Sequence, residues 1–161
     1  MSAIATTTEV PISALAALRD AAVPRKHLIG GPEDRFPLAL ARHGRALELF
    51  EHSGDVLATV LAYLDEKHGI DLMHSPHEEV ASAITKARGS RFVILGEEHL
   101  PFAGKLTDVG AGADELAAFF NAFNERHEEP EVGEAMREGI RFLQRALEAV
   151  TPGNVVLVAI L

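Results

Sequence analysis

The segment PLALARHGRALELFEHSGDVLATVLAYLDEKH, residues 37–68, carries the most regular hydrophobic pattern in the chain. Its pattern positions recur at alternating steps of three and four, and they are Leu40, His43, Leu47, Phe50, Gly54, Leu57, Leu61, Leu64 and His68. Because such steps keep side chains on one face of a helix, the pattern predicts a helix over residues 37–68. That helix is either continuous, with or without a kink, or broken at Gly54, and Gly69 is its predicted C-terminal stop.

This face does not have the pattern of a coiled-coil seam. A two-stranded coiled coil needs branched apolar residues at both seam positions through three or more heptads, whereas His43 and Gly54 interrupt this one. Additional apolar residues widen the face, and they are Leu49, Val56, Val60 and Tyr63. The pattern therefore predicts a helix packed on several neighbours inside its own domain.

Shorter patterns predict four further helices. Pro24 ends the first of them, and the pair Ser75-Pro76 begins the second with an N-cap serine and a proline in the first turn. Gly89 is placed to end that second helix. The predicted ranges are residues 13–22, 76–88, 113–126 and 130–150.

Two apolar runs of strand length, residues 91–95 and 155–161, predict buried strands, and residues 105–109 are a weaker candidate for a third. Together, these predicted helices and strands indicate a helix-rich α+β fold in which five or six helices pack on a small sheet. An α/β fold is the alternative. Residues 1–12 show no sustained periodicity and are predicted to be a flexible tail. Residues 13–161 are then a single globular domain.

The charge of the chain is acidic and unevenly distributed. The net charge is −9, yet residues 1–45 carry six Lys and Arg against four Asp and Glu, whereas the remainder carries nine against twenty. Nucleic-acid affinity comes mainly from Lys and Arg that displace counterions from phosphates. The balance therefore argues against a nucleic-acid partner and in favour of a basic protein partner.

Several classes of chemistry and location are excluded or disfavoured by composition. The chain has no cysteine, so disulfides, thiolate metal sites and cysteine nucleophiles are excluded. Its longest strongly apolar stretch, residues 155–161, is far shorter than the roughly 20 residues of a membrane-spanning helix. The N-terminus lacks the basic start and apolar core of a secretory signal. These features predict a cytoplasmic protein without a membrane partner.

The best candidate for catalysis is Glu98-His99, directly after the predicted strand at residues 91–95. Ligands often bind at the carboxyl ends of strands in open sheets, and a carboxylate beside an imidazole can carry out general acid–base chemistry. The alternative is a polar strand end that turns the chain towards Pro101. Since no complete cofactor motif occurs, no cofactor is predicted.

Histidines concentrate near one predicted connection between helices. His68, His74 and His77 could form an open zinc site if the loop folded back on itself, but their spacing is irregular. The sequence therefore predicts solvated histidines and no bound metal, with these three as the ligands if that prediction is wrong.

The densest acidic patch surrounds the start of the last predicted helix, at Glu128, Glu129, Glu131 and Glu134. Such a face can speed the encounter with a basic partner. The leading hypothesis is therefore an acidic protein-binding or regulatory module. One alternative is a small enzyme that uses the Glu98-His99 pair, with or without a metal. The other is a structural subunit of a homo-oligomer, whose oligomeric state the sequence leaves open.

Overall fold

A computed structural model describes residues 4–126 and 131–161 of the chain. These residues form seven α-helices: α1 (Leu15–Ala22), α2 (Phe36–His43), α3 (Gly54–His68), α4 (Glu78–Arg88), α5 (Phe102–Thr107), α6 (Ala113–Asn124) and α7 (Val132–Glu148). Their strands are β1 (Ala5–Pro11), β2 (Arg25–Lys26), β3 (Pro32–Glu33), β4 (Arg45–Phe50), β5 (Arg91–Leu95) and β6 (Asn154–Ile160). No described helix combines the length and the apolar character needed to cross a membrane.

Four strands form one antiparallel sheet in the order β4-β1-β6-β5, and β2 with β3 forms a separate hairpin. The predicted strands at residues 91–95 and 155–161 lie beside each other, with Val93 opposite Val158. The α+β class is confirmed, with more helices than the five or six predicted. The apolar run at the C-terminus is an inner strand, β6, with a neighbour on each side.

Helices cover both faces of this sheet. Val93 and Leu95 of β5 belong to the core cluster formed with α3, α6 and α7. The alternate residues Phe92 and Ile94 belong to a second cluster with α1, α2 and α4. Since successive side chains of a strand point to opposite faces, covering both faces explains why β5 and β6 are continuously apolar.

The single long helix predicted over residues 37–68 is wrong. The structure has a helix, a strand and a second helix there, because Gly44 is extended and the chain then pairs with β1 as strand β4. A Cβ at Gly44 would lie 2.6 Å from the Thr8 side chain, so glycine permits this close approach. Ser53 caps α3 by accepting a hydrogen bond from the Asp55 N–H, and Gly69 ends it in the left-handed conformation, as predicted.

The later part of the same pattern does form a buried helix face. Leu57, Leu61 and Leu64 of α3 all lie in the core of the chain itself. A side chain that is buried inside the protomer cannot serve as a seam between two protomers. The structure therefore agrees with an internal core face for α3.

The predicted flexible tail also differs from the structure. Residues 5–11 form β1, which lies between β4 and β6 and so is paired on both edges. Thr7 and Thr8 are buried, and such β-branched side chains fit a strand well. Because threonine side chains carry polar hydroxyls, this segment lacks the alternating hydrophobicity that predicts a strand.

The weak strand candidate at residues 105–109 is wrong as well. Most of it belongs to α5, whose buried Leu106 packs near α7 in the first core cluster. Leu106 and the half-buried Val109 are three residues apart, a spacing that places both on one face of a helical turn but on opposite faces of a strand. The described residues leave the outer edge of β5 without a further strand.

Candidate functional site

His99 lies in a short 3₁₀ helix, Glu97–His99, directly after β5. Its side chain is 1% exposed, and both ring nitrogens are engaged by the main chain. Nδ1 accepts a hydrogen bond from the Gly96 N–H at 3.0 Å, and Nε2 lies 2.8 Å from the carbonyl oxygen of His74. Since a carbonyl can only accept, the proton resides on Nε2.

This arrangement leaves the Glu98-His99 pair without the geometry of an acid–base dyad. The Glu98 carboxylate lies 3.6 Å from Nδ1, which carries no proton to donate to it. Nε2 is already bound to the main chain of the connection between α3 and α4. His99 therefore joins the end of β5 to that connection, which corresponds to the alternative interpretation of a polar strand end.

The three histidines proposed as metal ligands have separate surroundings. His68 contacts the Tyr63 hydroxyl, and that hydroxyl donates to Glu115 at 2.7 Å. Burial, together with the Glu115 carboxylate, raises the pKa of Tyr63, so the phenol remains the donor. His77 precedes α4, and its N–H donates to the Ser75 hydroxyl. Within residues 4–126 and 131–161, no group of three His, Cys, Asp or Glu is arranged to hold a metal ion.

His74 is instead the centre of a small charged cluster. Its Nδ1 is hydrogen-bonded to Asp71, and its Nε2 lies 3.9 Å from Glu78. The hydrogen bond to Asp71, the charges of Asp71 and Glu78, and the more distant charge of Asp65 all raise the pKa of His74. Partial burial acts to raise the pKa of Asp71, but hydrogen bonds from His74 and from the Met73 N–H outweigh it and lower that pKa. Negative charge thus collects from α3, α4 and their connection.

The same cluster borders a cleft of about 450 Å³ between α3 and α4, beside the outer edge of β5. The lining side chains are small, apolar or polar: Ala58, Ala62, Met73, His74, Glu78, Ala81, Ser82, Thr85, Arg91, Phe92, Val93 and Phe123. The volume falls within the range of roughly 300–1,000 Å³ that is typical of ligand pockets. The small alanine side chains on α3 and α4 leave this space open, and half-exposed Phe123 lies at its rim. We refer to this feature as the edge cleft.

At the floor of the edge cleft, one N–H on the outer edge of β5 is hydrogen-bonded to a side chain. The outward N–H of Phe92 donates to the Thr85 hydroxyl at 3.0 Å, and both Phe92 and Ile94 are buried. A side chain that satisfies an edge N–H protects the strand against pairing with another chain. The edge cleft is therefore shaped to receive side chains, and the Phe92 N–H on this edge of β5 is already hydrogen-bonded.

Charge differs between the two ends of the edge cleft. Glu78 begins α4, and Arg91 follows the end of that helix, so the helix length of roughly 16 Å separates them. Asp71 and Asp65 add negative charge at the Glu78 end, where His74 supplies the nearby positive charge when it is protonated. The result is an acidic end and a basic end.

The acidic patch predicted on the last helix is only partly described. Glu128 and Glu129 lie outside the described residues. Glu131 is exposed directly before α7, and Glu134 is paired with Arg137 at 2.9 Å. Further along α7, Glu138 contacts Arg141 and Arg145, whose hydrogen bonds, that of Arg145 foremost, lower the pKa of Glu138. Arginines therefore offset much of the charge of this helix.

A comparison with protein-family models finds no match, and comparisons with curated proteins and with solved structures find none either.

Proposed function

We propose that this protein is a binding module that docks a basic segment of a partner protein in the edge cleft. The observation that carries the proposal is a cleft with alanines on its walls and the Glu78 carboxylate at one end, beside the His74–Asp71 pair. The proposal keeps the acidic, cytoplasmic module inferred from the sequence and moves its docking surface away from α7.

The chemistry of the cleft suits a lysine or arginine side chain. Such side chains bury their aliphatic stems against apolar surface and keep the charged group near water or a carboxylate. Ala58, Ala62 and Ala81 supply the apolar walls, and Glu78 supplies the carboxylate at the mouth. Since Glu78 is half-exposed, it can exchange water for a partner's cation at modest cost. A protein partner fits this surface better than nucleic acid, because the chain carries a net charge of −9.

The α7 face is the weaker docking surface. Glu134 and Glu138 already hold arginines of their own helix, so a partner's cation would have to compete with those pairs. At the edge cleft, Asp71 and Glu78 both form their salt bridge with His74. The edge cleft therefore offers the more available negative charge.

The test measures binding of short lysine-containing peptides, labelled for fluorescence anisotropy, to the purified chain and to two matched variants. Glu78→Lys reverses a charge that lines the cleft, whereas Glu79→Lys makes the same change on the next residue, outside the lining. We expect Glu78→Lys to weaken binding by about tenfold more than Glu79→Lys does, which corresponds to roughly 1.4 kcal/mol.

The location of binding is checked independently by amide chemical-shift mapping with the same peptide. Shifts should concentrate on α3, α4 and β5 and leave α7 unchanged. Equal losses in the two variants, or shifts confined to α7, would remove the edge cleft from the proposal.

A further inference from the structure

The β2–β3 hairpin presents two large apolar side chains to solvent. Leu28 is 106% and Ile29 is 94% exposed, and they are consecutive residues at the tip. Single exposed apolar residues are ordinary on protein surfaces, but an adjacent pair at the tip of a projecting hairpin is a feature of interaction surfaces. We refer to residues 25–31 as the finger.

The backbone of the finger holds that tip away from the body of the protein. Gly30 and Gly31 both have positive φ values, 111° and 80°, in a region that favours glycine. Arg25 pairs with Glu33 in the two-stranded ladder, and the His27 ring contacts the Glu33 carboxylate at 3.1 Å. These contacts fix the base of the hairpin, and Leu28 and Ile29 extend beyond it.

The finger also carries positive charge. Arg25 and Lys26 are both exposed, and no carboxylate of the described residues forms a salt bridge with either. The finger therefore combines an apolar tip with a basic base, whereas the edge cleft combines alanine-lined walls with an acidic end at Glu78 and has Arg91 at its opposite end.

We propose that the occupant of the edge cleft is the finger of a second copy of this chain. The inference rests on the proposed function, since it identifies the basic segment that the cleft would receive. Leu28 and Ile29 would lie against the alanine-lined walls and Phe123, and Arg25 and Lys26 would face the carboxylates around Glu78. Complementary charges fix the register of such a contact and suppress incorrect partners.

This contact joins two different surfaces, because the finger follows α1 while the cleft lies between α3 and α4. Two copies either exchange fingers in a closed, two-fold symmetric pair that contains the finger–cleft contact twice, or continue head to tail through a heterologous contact. In both cases, each contact needs one intact finger and one intact cleft, and these belong to different molecules.

Mixing two defective variants tests that requirement directly. The finger variant is Leu28→Asp with Ile29→Asp, and the cleft variant is Glu78→Lys with Ser82→Arg; all four positions are exposed, so both variants should fold. In sedimentation velocity at micromolar concentrations, the wild-type chain should self-associate and each variant alone should be monomeric. An equimolar mixture should form a 1:1 complex, because it contains intact fingers on one chain and intact clefts on the other.

The charge part of the contact has its own control. Lys26→Glu should weaken self-association, and mixing it with Glu78→Lys should restore an attractive pair. A monomeric wild-type chain would overturn the inference, as would association that survives in both variants. Binding of anionic vesicles by a monomeric chain, lost in the finger variant, would overturn it too by assigning the finger to a lipid surface.

The peptide assay separates this inference from the proposed function. If the chain is monomeric but lysine-containing peptides still bind the wild-type and finger variants and not the cleft variant, only the identity of the occupant is wrong. If self-association behaves as expected, both statements hold for the same cleft.

Discussion

His99 shows how a single side chain can resemble a catalytic residue in the sequence and act as a structural link in the fold. Among the described residues, its imidazole is the hydrogen-bond partner of two main-chain groups, the Gly96 N–H and the His74 carbonyl. A buried polar group that loses its hydrogen-bond partner costs about 1–3 kcal/mol. The ring therefore stabilises the junction between β5 and the connection that leads to α4.

We predict that His99→Ala lowers the free energy of unfolding by about 3 kcal/mol, from the two lost hydrogen bonds and the cavity that remains. Glu98→Gln is the matched control at the adjacent exposed position, and it should change stability by no more than about 0.5 kcal/mol. Equilibrium denaturation of the three proteins measures both values. A His99→Ala protein as stable as wild type would show that the junction does not depend on the ring.

The sequence predicts the roles of individual side chains only in part. A histidine after a strand end has two neutral tautomers and no preferred degree of burial, so the letters alone do not distinguish a base from a main-chain link. The sequence does not predict the edge cleft, because its walls are alanines spread over α3 and α4. His74 is a metal candidate in the sequence, and its partner Asp71 is not predicted.

At the scale of elements, β1 is the largest difference between expectation and structure. A flexible tail tolerates substitution, whereas a strand with a neighbour on each edge does not. Val10 is completely buried in the second core cluster, while Ile12, two residues further along, is 40% exposed. Substitutions at these two positions therefore distinguish a paired strand from a flexible tail.

We predict that Val10→Ala costs about 2 kcal/mol of stability, from two buried methyl groups and the space they leave. Ile12→Ala removes more carbon but should cost about 0.5 kcal/mol or less, since that side chain is partly solvated already. Thermal and denaturant unfolding of the pair gives the comparison. If neither substitution changed the free energy of unfolding, a flexible tail would be favoured and β1 would not be part of the stable sheet.

In residues 37–68, the hydrophobic pattern predicts an ordered segment correctly but does not distinguish a helix from a strand. Its steps of three and four are genuine within α3, where Leu57, Leu61 and Leu64 are buried. They continue across β4 by coincidence, since the irregularity in pairing between Thr7 and Thr8 changes which residues of β4 face the core. Long-range pairing with β1 decided the structure of residues 45–50, and a local pattern contains no information about that partner.

At the scale of the whole molecule, the uneven charge found in the sequence reappears as separate surfaces. The basic N-terminal portion contributes the finger, and the acidic remainder contributes Glu78 at one end of the edge cleft, with Asp71 bound to the neighbouring His74. The α+β class could be predicted because β5 and β6 are continuously apolar and most helices have clear ends. The order of the strands could not be predicted, because it depends on contacts between distant parts of the chain.

Whole-molecule charge leads to a prediction about rates. A net charge of −9 attracts a basic peptide over distances that salt shortens, from about 30 Å at 0.01 M to about 8 Å at 0.15 M ionic strength. We therefore predict that the association rate constant of a lysine-containing peptide falls by about tenfold over this range, while its dissociation rate changes much less. Stopped-flow fluorescence measures the two rates separately.

Two sets of variants then distinguish the distant field from the local contact. Glu66 and Glu97 are exposed and lie outside the cleft lining, so their replacement by lysine should slow association and leave dissociation nearly unchanged. Glu78→Gln removes a charge that the bound peptide would touch, so its main effect should be faster dissociation. If added salt and the Glu66 and Glu97 variants left association unchanged, long-range charge would have no part in docking, and the apolar walls of the edge cleft would have to account for the binding.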